Sequence, residues 1–328
     1  DYKKKIKLKG KEVANDNSTF EEKQYTDIWS NDEYLQFMYE RLIIMKELLS
    51  STGSLYLHCD WHKSHYLRCI LEEIFGQGGK DGDPGFRNEI IWCYSDAANS
   101  KKYWNTKHDT IFFITKSSNW TFNYEKVFRP VKDSTIAKYK YEDEVGKYRL
   151  FGKNIEGSPI RWHRDVEKKW EETNPELVFR HYLKDGSLPL DWWEIHPVNQ
   201  AAKERENYPT QKPEELIERI IKASSNEGDI IFDCFMGSGT TQAVAMKLGR
   251  RFIGADINLG AVQITTKRLL NVAKELTSTL QEETKYTGFQ VYNVNNYDVF
   301  RNPVQAKELL IKALEIQPLP NNSLYDGE

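Results

Sequence analysis

The sequence predicts an α/β fold: a mostly parallel sheet covered by helices and interrupted by an inserted module. Three observations lead there. Short apolar runs of strand length alternate with segments of helical periodicity in both the first and last thirds of the chain. A glycine-bearing turn, Gly237-Ser-Gly239, lies between one such strand and the helix after it. Between them, about residues 119–196 lose this order and turn aromatic and highly charged.

The elements follow in order. Residues 3–11 carry six lysines, and the polar stretch to about Ser30 reads as a mobile loop. From Glu33 to Leu49, Leu35, Met38, Leu42, Met45 and Leu49 recur at steps of three and four, giving one helix face. Ser51-Thr-Gly53 ends it, and Ser54–Asp60 reads as a strand. A second helix runs to Phe75, with Leu67, Ile70, Leu71 and Ile74 on its buried side, and the glycine-rich Gly76–Gly85 is a loop. Asn88–Tyr94 and Thr110–Thr115 are apolar runs of strand length. After Tyr208 the spacing predicts helix 213–224, strand 229–234, helix 239–248, strand 251–257 and helix 259–278. A strand at Phe289–Val294 and a helix from Pro303 to Ile316 would close the chain, with Pro303 suited to a first helical turn.

Composition excludes more than it identifies. Charged residues make up 29% of the chain, and no apolar run approaches the roughly 20 residues of a membrane helix. The four cysteines, Cys59, Cys69, Cys93 and Cys234, are scattered without metal-ligand spacing, which suits reduced thiols in a cytoplasmic protein. The net charge of −3 means that contact with nucleic acid must come from local basic surface.

The most informative stretch is Asp229-Ile-Ile-Phe-Asp-Cys-Phe-Met-Gly-Ser-Gly-Thr-Thr241. Glycines after a strand let the backbone turn sharply and let a ligand approach without meeting a Cβ. The following helix start offers free N–H groups to an anionic group. Arg251-Phe-Ile-Gly-Ala-Asp256 is a second strand ending in an acid, at the distance from the glycines that places a carboxylate on ribose hydroxyls in doubly wound folds. A lone Gly-Ser-Gly would also suit an ordinary tight turn, but Asp256 favours an adenosine-type cofactor. No lysine follows the glycines as a phosphate-binding P-loop requires.

Tyr208-Pro-Thr-Gln-Lys-Pro213, a helix, and then Asp233-Cys-Phe-Met-Gly-Ser-Gly-Thr-Thr241 resemble the linked cofactor motifs of bacterial DNA methylases acting on exocyclic amines. The order, with cofactor motifs after the strands that frame the target base, resembles the permuted beta group, which includes type III modification subunits. The resemblance covers roughly 33–116 and 190–275. It implies a Rossmann-like S-adenosylmethionine-dependent methyltransferase fold with an inserted target-recognition module. The implied division is a basic loop (1–30), the catalytic-side half (31–118), the recognition module (119–196), the cofactor-binding half (197–278) and a C-terminal extension (279–328). It further implies that Asp233, Phe235, Gly237, Ser238, Gly239, Thr240 and Thr241 line the cofactor and that Asp256 holds its ribose. Thr210, Gln211 and Lys212 would close over its carboxylate, with Lys212 as counter-charge; a solvated lysine at a helix start is the plainer alternative. Cys234 stands where many relatives carry proline.

An exocyclic amine is a poor nucleophile because its lone pair is delocalised into the ring. In the family an Asp/Asn/Ser-Pro-Pro-aromatic tetrapeptide accepts hydrogen bonds from that amine and stacks on the flipped base. No such tetrapeptide occurs in the 328 residues. Asp83-Pro-Gly-Phe86 is the nearest string, and it lies in a glycine-rich loop after the elements that should follow the motif. The chain opens at Asp1 in a lysine-rich stretch of the kind that follows the motif in relatives, so one central strand is expected to be missing and the chain to be inactive alone.

Weaker candidates for the target-base side are Asp60, at a strand end, and His108, in Asn105-Thr-Lys-His-Asp109, where a plain turn serves equally well. His58, His62 and His65 straddle a strand end and a helix start, and only the first two share an i,i+4 step, so no metal is expected. Residues 119–196 hold fourteen aromatics, fourteen Lys or Arg and fourteen Asp or Glu, so a mixed surface competes with a DNA-binding one. Arg149, Arg161, Trp162, Arg164, Lys169 and Trp170 are the candidates there for phosphate contact and base stacking on double-stranded DNA. The resemblance thus implies methylation of adenine N6, with a restriction subunit as a possible companion. Cytosine N4 methylation, or a non-catalytic DNA-binding subunit with a retained cofactor pocket, are the alternatives.

Overall fold

The computed structural model describes residues 5–8, 11–14, 31–79, 82–95, 100–152, 165–279 and 287–294. Two compact units emerge, Asp1–Thr121 with Trp192–Glu328, and Phe122–Asp191. The first unit begins with strands β1 (Lys5–Leu8) and β2 (Lys11–Ala14), then α1 (Asn31–Leu48), β3 (Ser54–Cys59), α2 (Ser64–Phe75), β4 (Gly85–Cys93) and β5 (His108–Thr115). The second unit contains α3 (Asp133–Ile136), β6 (Tyr141–Asp143), β7 (Gly146–Gly152), α4 (Lys168–Thr173) and β8 (Val178–Tyr182). The chain returns to the first unit with β9 (Trp192–Glu194), α5 (Glu214–Ser224), β10 (Ile230–Asp233), α6 (Thr240–Lys247), β11 (Arg251–Gly254) and α7 (Leu259–Thr279).

β5 organises the four-stranded sheet, whose order is β3-β5-β4-β9. Side chains alternate across a strand, so a run buried on both faces must be apolar throughout. Phe112 and Ile114 point to one face, where they meet Met38 and Leu42 of α1 and Leu67, Leu71 and Phe75 of α2. Ile111 and Phe113 point to the other, against Ile90, Trp92, Trp193 and Leu216 of α5. β5 is antiparallel to both neighbours, and β4 pairs with β9 in parallel. The ends of β3 and β4 and the start of β5 therefore share one edge, with Cys59 opposite Thr110 and Cys93 opposite His108.

β10 and β11 form a separate parallel pair. Ile231 and Phe252 pack with Ile217 and Ile221 of α5 and with Val244 and Ala245 of α6, and α7 covers α6 through Leu269 and Val272. Helix α5 thus packs on both the four-stranded sheet and the parallel pair. Among the described residues, β3 and β10 each have a strand partner on one edge only, and Ile230, Phe232 and Ile253 are exposed on the face away from α5.

Two elements differ from expectation. The segment read as a loop within 1–30 contains the antiparallel pair β1–β2, in which Leu8 pairs with Lys11; the alternating Lys-Ile-Lys-Leu fits a strand, although six lysines within residues 3–11 suit a solvated loop. Residues 287–294 are not a strand: Phe289 packs on the α6–α7 core while Tyr292 and Val294 are exposed. The helix expected from Pro303 to Ile316 lies outside the described residues. No described helix is long and apolar enough to cross a membrane.

In the second unit β6, β7 and β8 form an antiparallel sheet. Register places Tyr141 opposite Tyr148 and Tyr148 opposite Tyr182, and the rings form a cross-strand ladder with centroids 5.6 and 5.5 Å apart. Asp143 and Glu171 both pair with Arg180, at 2.7 and 2.5 Å, and Glu171 also meets Lys168 at 2.5 Å. Several of the module's acids are therefore committed within it.

Candidate functional site

The glycine turn is tied to both neighbouring strand ends. Asp233, last in β10, accepts the Phe235 N–H through Oδ1 (3.0 Å) and the Thr241 hydroxyl through Oδ2 (2.6 Å), fixing the strand end to the first turn of α6. Gly237 and Gly239 have φ of 50° and 70°, a left-handed conformation that side chains disfavour. A Cβ on Gly239 would sit 2.5 Å from Thr265 Cγ2, so the turn lies against α7 with no room for one. The Gly237 N–H donates to Asp256 Oδ2 (2.9 Å), and Asp256 Oδ1 accepts the Asn258 N–H (2.9 Å). Each Asp256 oxygen keeps acceptor capacity for a ligand hydroxyl.

Beneath the turn lies a hub that sequence reasoning missed. Arg268 of α7 is only 3% exposed. It donates to the Ser238 carbonyl (3.2 Å), to Thr240 Oγ1 (2.9 Å) and to Glu214 Oε1 (2.8 Å). Glu214 also pairs with Lys247 at 2.6 Å. Burial raises the Glu214 carboxyl's pKa, but Lys247 and Arg268 outweigh it and hold the group below the ordinary glutamate value. The partners are 33 and 54 residues from Glu214, a separation that no local pattern reveals.

Lys212 joins this cradle to the four-stranded sheet. Its carbonyl accepts the Thr240 hydroxyl (3.2 Å), while its ammonium, donating to the Thr210 carbonyl (3.3 Å), lies 6.0 Å from the centre of the Trp92 ring. Burial lowers its pKa, and the charge of Asp109 opposes that. Gln211 turns its amide to the backbone: it donates to the Glu204 carbonyl (2.6 Å) and accepts the Glu206 N–H (2.8 Å), shaping the loop that presents Thr210 and Lys212.

At the sheet edge His58 pairs with Asp109 at 3.0 Å, and its ring lies 5.8 Å from Trp92. Burial pushes the Asp109 carboxyl up, but the His58 hydrogen bond, with the charges of His58, Lys212 and His108, holds it below the ordinary value. Asp60 is engaged by His62, through the ring (2.9 Å) and the backbone N–H (3.1 Å). His108 is exposed at the start of β5. The described residues hold no cluster of three or more His, Cys, Asp or Glu fit for a metal ion. Burial, followed by Asp233, pushes the Cys234 thiol up to about 11, so it is protonated at neutral pH.

The cradle fits an adenosine-type ligand with a carboxylate. Phe235 is exposed beside it, its ring 6.5 Å from Phe37 of α1. Gln242, in the first turn of α6, is 1% exposed with neither amide atom partnered among the described residues, and its Nε2 lies 2.8 Å from where a Cβ on Gly254 would sit. An orphaned buried amide beside a bare glycine is what a polar ligand group would satisfy.

The DNA-contact candidates are dispersed. Arg149 stacks on Phe151 at 4.1 Å and lies 3.5 Å from Asp165. Lys169 and Trp170 lie on α4, with Trp170 52% exposed. Arg161, Trp162 and Arg164 lie outside the described residues.

Comparison with known proteins follows the cradle. A family model described as DNA methylase matches residues 3–267. The type II methyltransferase M1.MboII of Moraxella bovis is 35% identical over 237 residues, 70% of this chain and 76% of that protein. The DNA adenine methyltransferase YhdJ of Escherichia coli K12 is 28% identical over 245 residues, 74% of this chain and 69% of that protein. Among solved structures, the cytosine-N4-specific PvuII DNA methyltransferase aligns over 76% of this chain and 75% of its own, with 14% identity and a TM-score of 0.48.

Proposed function

We propose, from the fact that this chain belongs to the DNA methylase family matched by residues 3–267, that the intact protein methylates adenine N6 in double-stranded DNA from S-adenosylmethionine. The observation that carries this reading is the position of Lys212, whose carbonyl is bound to the cradle and whose ammonium lies toward Trp92 and Asp109 at the sheet edge. One residue thereby runs from the cradle toward the sheet edge, the two places that methyl donor and base would occupy. The adenine assignment draws on the adenine methyltransferase among the relatives.

When bound, S-adenosylmethionine supplies a methyl group activated on a sulfonium. The chain's residues bind and orient it. Asp233, Phe235, Gly237, Ser238, Gly239, Thr240 and Thr241 line the methionine end, Asp256 takes the ribose hydroxyls, and Thr210 and Lys212 close over the carboxylate. Gln211 holds the loop that carries them. His58, Asp109, His108 and Asp60 lie on the target side. Lys169 and Trp170 on α4, with Arg149, Arg161, Trp162 and Arg164, make the second unit the target-recognition module. The partner class is duplex DNA in the cytoplasm.

Lys212 confers a pH dependence with a definite sign. Only its ammonium form attracts a carboxylate, so cofactor affinity is full below its pKa and falls as pH rises through it. Because burial lowers that pKa, the fall comes earlier than for an exposed lysine. Titration of S-adenosylhomocysteine across neutral to alkaline pH should show this fall. Lys212→Met should cost about tenfold at neutral pH and flatten the profile, and Asp109→Asn should move the fall to lower pH.

The methyl-transfer step further needs the Pro-Pro tetrapeptide, which the 328 residues do not contain. β10 and β3 each have one edge without a strand partner among the described residues, and we propose that a strand carrying the tetrapeptide would add at one of these edges. Transfer of radiolabelled methyl to duplex DNA tests this. The chain as given should incorporate none, and a version extended by a strand ending in Asp-Pro-Pro-Tyr should produce N6-methyladenine. Activity of the unextended chain, or N4-methylcytosine as the product, would overturn the corresponding part of the proposal.

A further inference from the structure

The loop between β4 and β5 carries an exposed aromatic tip that the cofactor cradle does not use. Trp104 is 97% exposed and Tyr103 75%, and Lys101 and Lys102 just before them are exposed with no acidic partner among the described residues. Bare indole and phenol rings in water forgo the burial that normally offsets them. The tip is nonetheless held in shape. The Ser100 N–H donates to Asn105 Oδ1 (2.9 Å) and the Asn105 amide returns to the Ser100 carbonyl (3.2 Å). The Ser100 hydroxyl accepts the N–H groups of Lys102 (3.2 Å) and Tyr103 (3.3 Å), and the Tyr94 N–H closes the loop base on the Lys107 carbonyl (3.0 Å). A turn fixed by five hydrogen bonds presents two cations and two rings to solvent at the sheet edge bearing His58 and Asp109. Trp61, 49% exposed just past β3, lies on the same edge.

We propose that Lys101–Trp104 is a second DNA-contact element, separate from the recognition module, which engages the helix where the target nucleotide leaves it. Cations beside aromatic rings suit nucleic acid in particular: the ammonium groups meet phosphates, and a flat ring stacks on any base whatever its sequence. Extrusion of one nucleotide exposes the faces of neighbouring bases. A tip clamped before binding loses little freedom on filling that gap. Trp104 is the stacking residue and Lys101 and Lys102 hold the backbone beside it. This inference rests on the DNA methylase reading and adds to it which residues of the first unit hold the opened duplex.

The test measures binding of the full chain to two fluorescent duplexes, one intact and one with an abasic site mimicking an extruded base. The wild-type chain should prefer the abasic duplex. Trp104→Ala should lose that preference, weakening abasic-duplex binding about tenfold, while Trp104→Phe retains most of it. Lys101→Ala with Lys102→Ala should weaken both duplexes alike and reduce the salt dependence by about two phosphate contacts. Equal binding of both duplexes by wild type and Trp104→Ala would overturn the inference and leave the methylase reading standing. The same holds if Trp104→Ala changes the sedimenting mass without changing DNA affinity, which would assign the tip to contact between two copies. Failure of the wild-type chain to bind either duplex would overturn both.

Discussion

Replacing Arg268 by methionine should destabilise the protein by about 3 kcal/mol, the lower end of the cost of breaking a buried ion pair. The lower end applies because Glu214 keeps Lys247 at 2.6 Å when Arg268 is gone. The Ser238 carbonyl and Thr240 hydroxyl, however, both lose their guanidinium donor in a buried setting. Denaturant unfolding followed by circular dichroism would read the loss. The pH response of the variant separates electrostatics from packing. Glu214's carboxyl lies below its ordinary value, so its contribution is complete above the ordinary glutamate pKa and is lost as pH falls through the lowered one. With one of its two cations removed, that pKa rises and the acid loss should begin at higher pH. An acid profile identical to that of the wild type would show that Arg268 acts through packing alone.

Asp256→Ala should carry the largest functional effect, a fall in S-adenosylmethionine affinity of about 100-fold. Two losses combine. The acceptor assigned to the ribose disappears, and the Gly237 and Asn258 N–H groups lose the carboxylate that aligns the two strand-end loops. Charged hydrogen bonds of this kind are worth about 1.5–3 kcal/mol each. Asp256→Asn keeps an acceptor oxygen and should lose less. Because Asp256 is part-buried at a strand end rather than in a core cluster, the alanine variant should unfold at nearly the wild-type denaturant concentration.

Much of the architecture was legible because local patterns and burial agree. The Thr110–Thr115 run is apolar on both faces, and β5 is covered on both. The spacing of Met38 and Leu42, and of Leu67 and Leu71, marked the faces that α1 and α2 bury. The tight turn at Gly237 and Gly239 and its neighbour Asp256 were legible because positive φ and a strand-end carboxylate leave traces in residue type. What escaped was long-range or polar. Arg268 carries no local signal, because its buried partner Glu214 lies 54 residues earlier. Gln211 belongs to the cofactor motif by position, yet its amide is spent on the Glu204 and Glu206 backbone. Ser100 and Asn105 are local, but a reciprocal clasp across five residues matches no common turn signature. The exposed face of Ile230, Phe232 and Ile253 is likewise invisible in sequence, where those residues read as buried strand.

The account depends most on the cradle at the ends of β10 and β11 being a cofactor site. Calorimetric titration of S-adenosylmethionine into the full chain and into Asp256→Ala tests that most directly. The expected result is saturable one-to-one binding, displaced by S-adenosylhomocysteine and nearly abolished in the variant. No binding by a folded wild-type chain, or equal affinity in the two proteins, would contradict it.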